Sequence, residues 1–164
     1  MARYKCFFDG ACVPKNPFGV MGFGWVVMDG NIAYLNPDRD TIEYGSGYEP
    51  ASLQNSSNKA EYLAFSELLR WLLENTQKGD EILIFGDSQL VIKQMNGEWK
   101  INEGLYRSAA WDADDLLDEL KRDRKCLLRW IPREKNSYAD ELSRLSLPEE
   151  VEIFLPHPCT TQQE

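Results

Sequence analysis

The chain has 164 residues, a length that suits one domain and leaves little room for two. Its formal charge at pH 7 is −9, and 43% of its residues are hydrophobic, enough for a packed core and too many for intrinsic disorder. With no run of eighteen apolar residues, and with Met1-Ala2-Arg3-Tyr4 leading straight into a strand-like segment, neither a transmembrane helix nor a signal peptide is expected. The expected compartment is the cytoplasm, with no membrane partner. Cys6, Cys12, Cys126 and Cys159 form no CxxC pair, so neither a disulfide framework nor a zinc site is expected. The acidic balance also speaks against nucleic acid, whose protein footprint is normally basic.

In chain order, Tyr4–Cys12 carries apolar and aromatic residues on both parities, as in a strand buried on two faces, yet Asp9-Gly10 interrupts it. Lys15 to Gly19 reads as a turn, and Gly22–Met28 and Thr41–Tyr48 as two further strands joined by a surface connection over 29–40. Short links predict an antiparallel meander. The period then changes. Apolar residues at 64, 65, 68, 69, 72 and 73 predict an amphipathic helix over Asn58–Asn75. Glu81–Phe85 reads as a short strand, followed after Gly86-Asp87-Ser88 by a helix to about Asn96-Gly97. A helix over Tyr106–Lys121 with an acidic outer face, a strand over Cys126–Ile131 and a helix over Ser137–Leu145 complete the pattern. The expected fold class is α/β: a five-stranded mixed sheet, made of a three-strand antiparallel meander plus two parallel strands, flanked by helices. Residues 1–147 form the expected domain and 148–164 a C-terminal tail.

Four acids stand where few proteins place them. Asp9 lies inside the first strand, and an unpaired buried carboxylate costs on the order of several kcal/mol, so it needs a cation or hydrogen-bond partners. Glu61 opens the first long helix, Asp87 follows the fourth strand, and Asp140 sits in the first turn of the last helix. Taken singly, three of them have ordinary explanations. Asn58-x-x-Glu61 and Ser137-x-x-Asp140 match capping boxes, and Asp87 suits an N-cap. Taken together, they fall at element ends that meet on one edge of the sheet. Four converging carboxylates repel one another unless divalent cations hold them, and hard oxygen donors suit Mg²⁺ or Mn²⁺. A pair of such ions is the usual apparatus for attack of water on a phosphodiester.

At this point the chain resembles type 1 ribonuclease H, over residues 3–146. The matching segments are Phe8-Asp9-Gly10-Ala11, Asn16-Pro17, Ser56-Ser57-Asn58-Lys59-Ala60-Glu61, Gly86-Asp87-Ser88-Gln89 and Asn136-Ser137-Tyr138-Ala139-Asp140. The resemblance implies a ribonuclease H-like fold and an endonuclease that cleaves the RNA strand of RNA–DNA hybrids, leaving 5′-phosphate and 3′-hydroxyl ends. It implies that Asp9, Glu61, Asp87 and Asp140 are catalytic and hold two Mg²⁺ ions, with Asp9 shared between them and Mn²⁺ able to substitute. It adds Asn58 and Gln89 as minor-groove contacts. The small Gly10 and Ala11 let the backbone approach a sugar, Asn16 is a candidate phosphate contact, and Trp99 a candidate for stacking. A monomer is expected.

Two departures stand out. Many relatives carry a histidine shortly before the last acid, whereas Ile131–Asn136 contains none, and the single histidine, His157, lies beyond the matched region. The Lys-rich protrusion with which some members grip the hybrid is also missing. Seven basic residues between Lys121 and Lys135 offer a local patch for phosphate instead. Two other readings compete: a non-catalytic nucleic-acid-binding or interaction module of the same fold, and a related nuclease acting on another nucleic acid.

Overall fold

A computed structural model describes residues 1–149. The predicted tail over 148–164, His157 included, lies almost wholly outside the described residues. Strand β1 (Arg3–Val13) runs antiparallel to β2 (Val20–Asp29), which pairs antiparallel with β3 (Thr41–Glu49). β4 (Glu81–Gly86) lies parallel to β1, and β5 (Lys125–Trp130) parallel to β4, so the sheet order is β3-β2-β1-β4-β5. This is the mixed sheet expected from the sequence. Where the change from β2 to β4 as chain neighbour occurs, β1 is central and buried on both faces, which explains its apolar residues on both parities.

Helices cover the sheet unevenly. On one face, Cys6, Phe8, Ile82, Ile84, Cys126 and Leu128 alternate inward along β1, β4 and β5. Against them pack Phe65, Leu68, Leu69 and Leu72 of α2 (Ser57–Asn75), with Ala110, Ala113, Leu117 and Leu120 of α4 (Arg107–Lys121) behind. The i, i+3, i+4 spacing of these residues forms one apolar stripe per helix. The short α3 (Gln89–Met95) seals the edge with Val91, Ile92 and Met95. On the other face, α5 (Ser137–Leu145) lays Leu142 against Val26 and Met28, and the following Leu147 packs on Val13 and Val20. Among the described residues, no helix is long and apolar enough to cross a membrane.

The connection over 29–40 is not wholly irregular. It holds a one-turn helix, α1 (Pro37–Asp40), started by Asn36, whose side-chain oxygen accepts from the Asp38 amide at 3.0 Å. Asn-Pro-Asp is a legible start signal, with proline at the first helical position where no amide is needed. At four residues it is too short for periodicity to reveal.

Candidate active site

The capping explanations for the acids do not hold. Ser56, not Asn58, caps α2, accepting from the Lys59 amide at 3.1 Å. Ser88, not Asp87, caps α3, accepting from the Val91 amide at 3.2 Å. α5 starts from Asn136, one residue before the Ser137 of the apparent capping box. Each acid is thereby displaced from the position where capping would occupy its carboxylate.

They converge instead. Asp9 sits inside β1 and is only 4% exposed, with Glu61 of α2 at 5%. One carboxylate oxygen from each of Asp9, Glu61 and Asp87 lies within 4.8 Å of the others. Asp140, half-buried on α5, lies near enough for its charge to act on Asp9, and its Oδ1 lies 3.5 Å from Arg144 Nε. Gly10 makes the first contact possible. A side chain there would collide with the backbone of Ala60 and Glu61, so only glycine lets α2 settle against β1. Gly24 performs the same service on β2, beneath Leu142 and Ser143 of α5.

Asp9 has its pKa raised well above the ordinary carboxylate range. Burial is the main cause, the charges of Asp87 and Asp140 add to it, and the hydrogen bond with Asp140 raises it further. A hydrogen bond with Glu61 works the other way. Two further residues hold Asp87: Asn136 Nδ2 lies 3.2 Å from its Oδ2, and Trp130 Nε1 donates to its backbone oxygen at 3.0 Å.

These acids open into a cleft of ≈ 400 Å³, whose wall includes Gly10, Asn58, Ser88, Gln89 and Arg133 beside Asp9, Glu61 and Asp87. Of the predicted substrate contacts, Gly10, Asn58 and Gln89 thus border the acids. Ala11, Asn16 and Trp99 do not line this cleft. Asn16 is engaged with α2: its Oδ1 accepts from the Ser57 amide and its Nδ2 donates to Ser57 Oγ, both at 2.9 Å. Trp99 lies beyond α3, 44% exposed, with Lys93 Nζ 4.8 Å from its ring centre.

In the sequence Arg133 is one member of a basic run, and that run disperses on folding. Arg124 turns inward to Thr76 Oγ1 at 2.7 Å and the Thr76 carbonyl at 2.8 Å. Lys125 and Arg129 line a separate groove on the opposite face of β4 and β5, beside Leu127. Arg133 alone of the seven lines the cleft. The expectation of one basic patch therefore fails, because strand alternation and the turn after Pro132 send neighbouring cations to different faces. Asn136 stands in the sequence only as part of the Asn136-to-Asp140 segment, where nothing in its type or spacing marks its contact with Asp87.

Residues 7–146 match the family model described as reverse transcriptase-like. Ribonuclease HI of Halobacterium salinarum is 32% identical over 146 residues, covering 88% of this chain and 64% of the relative. A bifunctional protein of Mycobacterium tuberculosis is 32% identical over 129 residues, 78% of this chain but 31% of that one. The chain thus spans about two thirds or less of the length of these curated relatives. Among solved structures, RNase H1 of the same Halobacterium salinarum superposes with a TM-score of 0.67 at 30% identity, covering 85% of this chain and 93% of that one. LC11-RNase H1, isolated from compost by a metagenomic approach, gives 0.69 at 28% identity, covering 87% and 93%. By its matched family model, its sequence relatives and its sheet order, the chain belongs to the reverse transcriptase-like family, and within it to type 1 ribonuclease H.

Proposed function

We propose that the protein is an endonuclease that hydrolyses the RNA strand of RNA–DNA hybrids with two Mg²⁺ ions, Mn²⁺ substituting, and leaves 5′-phosphate and 3′-hydroxyl ends. The observation that carries this reading is the approach of Asp9, Glu61 and Asp87 to within 4.8 Å, with Asp140 near enough for its charge to act on the same Asp9 carboxyl. The donor set fits hard divalent cations, because it consists of carboxylates alone. Asp9, Glu61, Asp87 and Asp140 would hold them. The chemistry such ions supply when bound is activation of water and stabilisation of the leaving oxygen.

The remaining residues bind and orient the substrate. Asn58 and Gln89 place amides, each both donor and acceptor, on the cleft wall next to Glu61 and Asp87. They suit the minor-groove edge of a hybrid, where 2′-hydroxyls distinguish RNA from DNA. Gly10 exposes backbone at the same wall. Arg133 brings a fixed positive charge to a cleft whose other charged lining residues are Asp9, Glu61 and Asp87, which suits a phosphate oxygen. Asn16 acts through Ser57 by tying the β1–β2 turn to α2, and Trp99 extends the surface beyond α3. With a net charge of −9, non-specific attraction to the phosphate backbone is weak, so binding depends strongly on the metal.

The deciding experiment is cleavage of one sequence presented as RNA–DNA hybrid, RNA duplex and DNA duplex, with Mg²⁺ or with chelator. The hybrid alone should be cut, only with metal, and not by Asp9→Asn or Asp87→Asn. Equal cutting of DNA duplex, or undiminished cutting by either variant, defeats the reading.

A further inference from the structure

We infer that Asn136 is a positioning residue that sets the Asp87 carboxylate for metal binding, an inference that rests on the metal-site reading above. Asn136 is 1% exposed and stands at the start of α5. An asparagine there ordinarily turns its side-chain oxygen to a first-turn amide, as Asn36 does for α1. Asn136 makes no such bond. Its Nδ2 instead donates to the Phe8 carbonyl at 2.9 Å and to Asp87 Oδ2 at 3.2 Å. Both partners are acceptors, so the amide cannot be turned over. Its Oδ1 is consequently buried with no hydrogen-bond partner.

A cap forgone and an acceptor stranded are two costs borne at one position, and both follow from aiming the two N–H groups as they are. The same residue's backbone oxygen accepts from the Asp140 amide at 3.0 Å. Asn136 therefore touches the peptide before Asp9, the side chain of Asp87 and the backbone of Asp140. Three acids from β1, the β4–α3 turn and α5 are spaced against one buried amide. A donor on Oδ2 also restrains the rotation of the Asp87 carboxylate, one of the three acids that cluster within 4.8 Å. Partners of this kind, behind a ligand, typically change metal affinity about 10–100-fold when lost.

The test is calorimetric titration of the full chain with Mn²⁺, comparing wild type with Asn136→Ala and Asn136→Ser, each checked for folding by circular dichroism. Both variants should bind Mn²⁺ about 10–100-fold more weakly. At saturating metal, KM for the hybrid should stay at the wild-type value. A purely structural role would lower the melting temperature and leave the Mn²⁺ affinity unchanged; affinity within threefold of wild type in either folded variant overturns the inference. A second measurement needs no variant: the Asn136 side-chain amide resonances of wild type should shift on Mg²⁺ addition in step with metal binding, and no shift at saturation overturns it equally. If wild type itself neither binds Mn²⁺ nor cuts hybrid, the metal-site reading falls as a whole. That outcome is distinct from a wild type that binds and variants that bind as well.

Discussion

A Cβ on Gly10 would overlap the backbone nitrogen of Glu61. Strand and helix thus touch at the two points in the chain that carry adjacent carboxylates, and the absence of a side chain sets their separation. Gly10→Ala forces α2 away from β1. Overpacking of this kind costs about 1–3 kcal/mol, which for a chain of this size is roughly 2–12 °C in melting temperature. Displacing a reacting group by about 1 Å costs on the order of 100-fold in rate. Calorimetry and hybrid cleavage on the same preparation should show both losses, and a wild-type rate in a destabilised variant would separate packing from site geometry.

Divalent cation should stabilise the native chain, because Asp9, Glu61 and Asp87 cluster within 4.8 Å. Mg²⁺ at about ten times its Kd contributes about 1.4 kcal/mol, or roughly 3–6 °C. The gain should vanish in Asp9→Asn, which removes the most buried carboxylate of that cluster. Differential scanning calorimetry with Mg²⁺ against chelator reads the difference directly. Equal gains in wild type and variant would place the binding elsewhere.

In chelator, stability should fall as pH rises above the ordinary carboxylate range. Asp9 titrates well above its unfolded value of about 3.9, so between those two values the folded chain binds more protons than the unfolded one. The stabilising proton is fully present near the unfolded pKa and is lost as pH rises through the folded pKa. Asp9→Asn carries no such proton and should have the flatter profile. Melting temperature followed upward from about pH 4, the unfolded carboxylate value, checks the sign. A wild type that gains stability relative to the variant as pH rises would reverse it.

Much of the fold could be read from the chain because burial and periodicity coincide: Phe65, Leu68, Leu69 and Leu72 repeat at helical spacing and form the floor of the core. Asp9 stands out for the opposite reason, since it breaks a pattern that its neighbours keep, and the structure brings Glu61 and Asp87 to it. Their relation to the helix starts was harder to read. Ser56 and Asn58, or Ser88 and Asp87, are equally good caps by residue type, and only the backbone decides between them. The seven cations before Asn136 look contiguous in sequence, yet Arg124 faces Thr76, Arg129 the outer sheet groove and Arg133 the cleft. Charge carries no periodicity strong enough to give its direction away. The contacts of Asn136 cannot be read from the chain because they reach Phe8, 128 residues earlier, and Asp87, 49 residues earlier.

Arg133 should carry part of the work on the phosphate in a chain whose only histidine is His157. A charge-assisted hydrogen bond contributes about 1.5–3 kcal/mol, so Arg133→Ala should lower kcat/KM by roughly 10–150-fold. Arg133→Lys should recover part of the loss by restoring charge without the guanidinium fork. A guanidinium stays protonated throughout the working range. Wild type and Arg133→Ala should therefore give parallel pH profiles, separated by a constant factor. Arg133→His behaves differently: its positive charge is present below about pH 6.5 and lost above it. Its activity relative to Arg133→Ala should be high at acid pH and converge on it as pH rises. Parallel profiles for all three variants would mean that the charge at 133 does not reach the substrate.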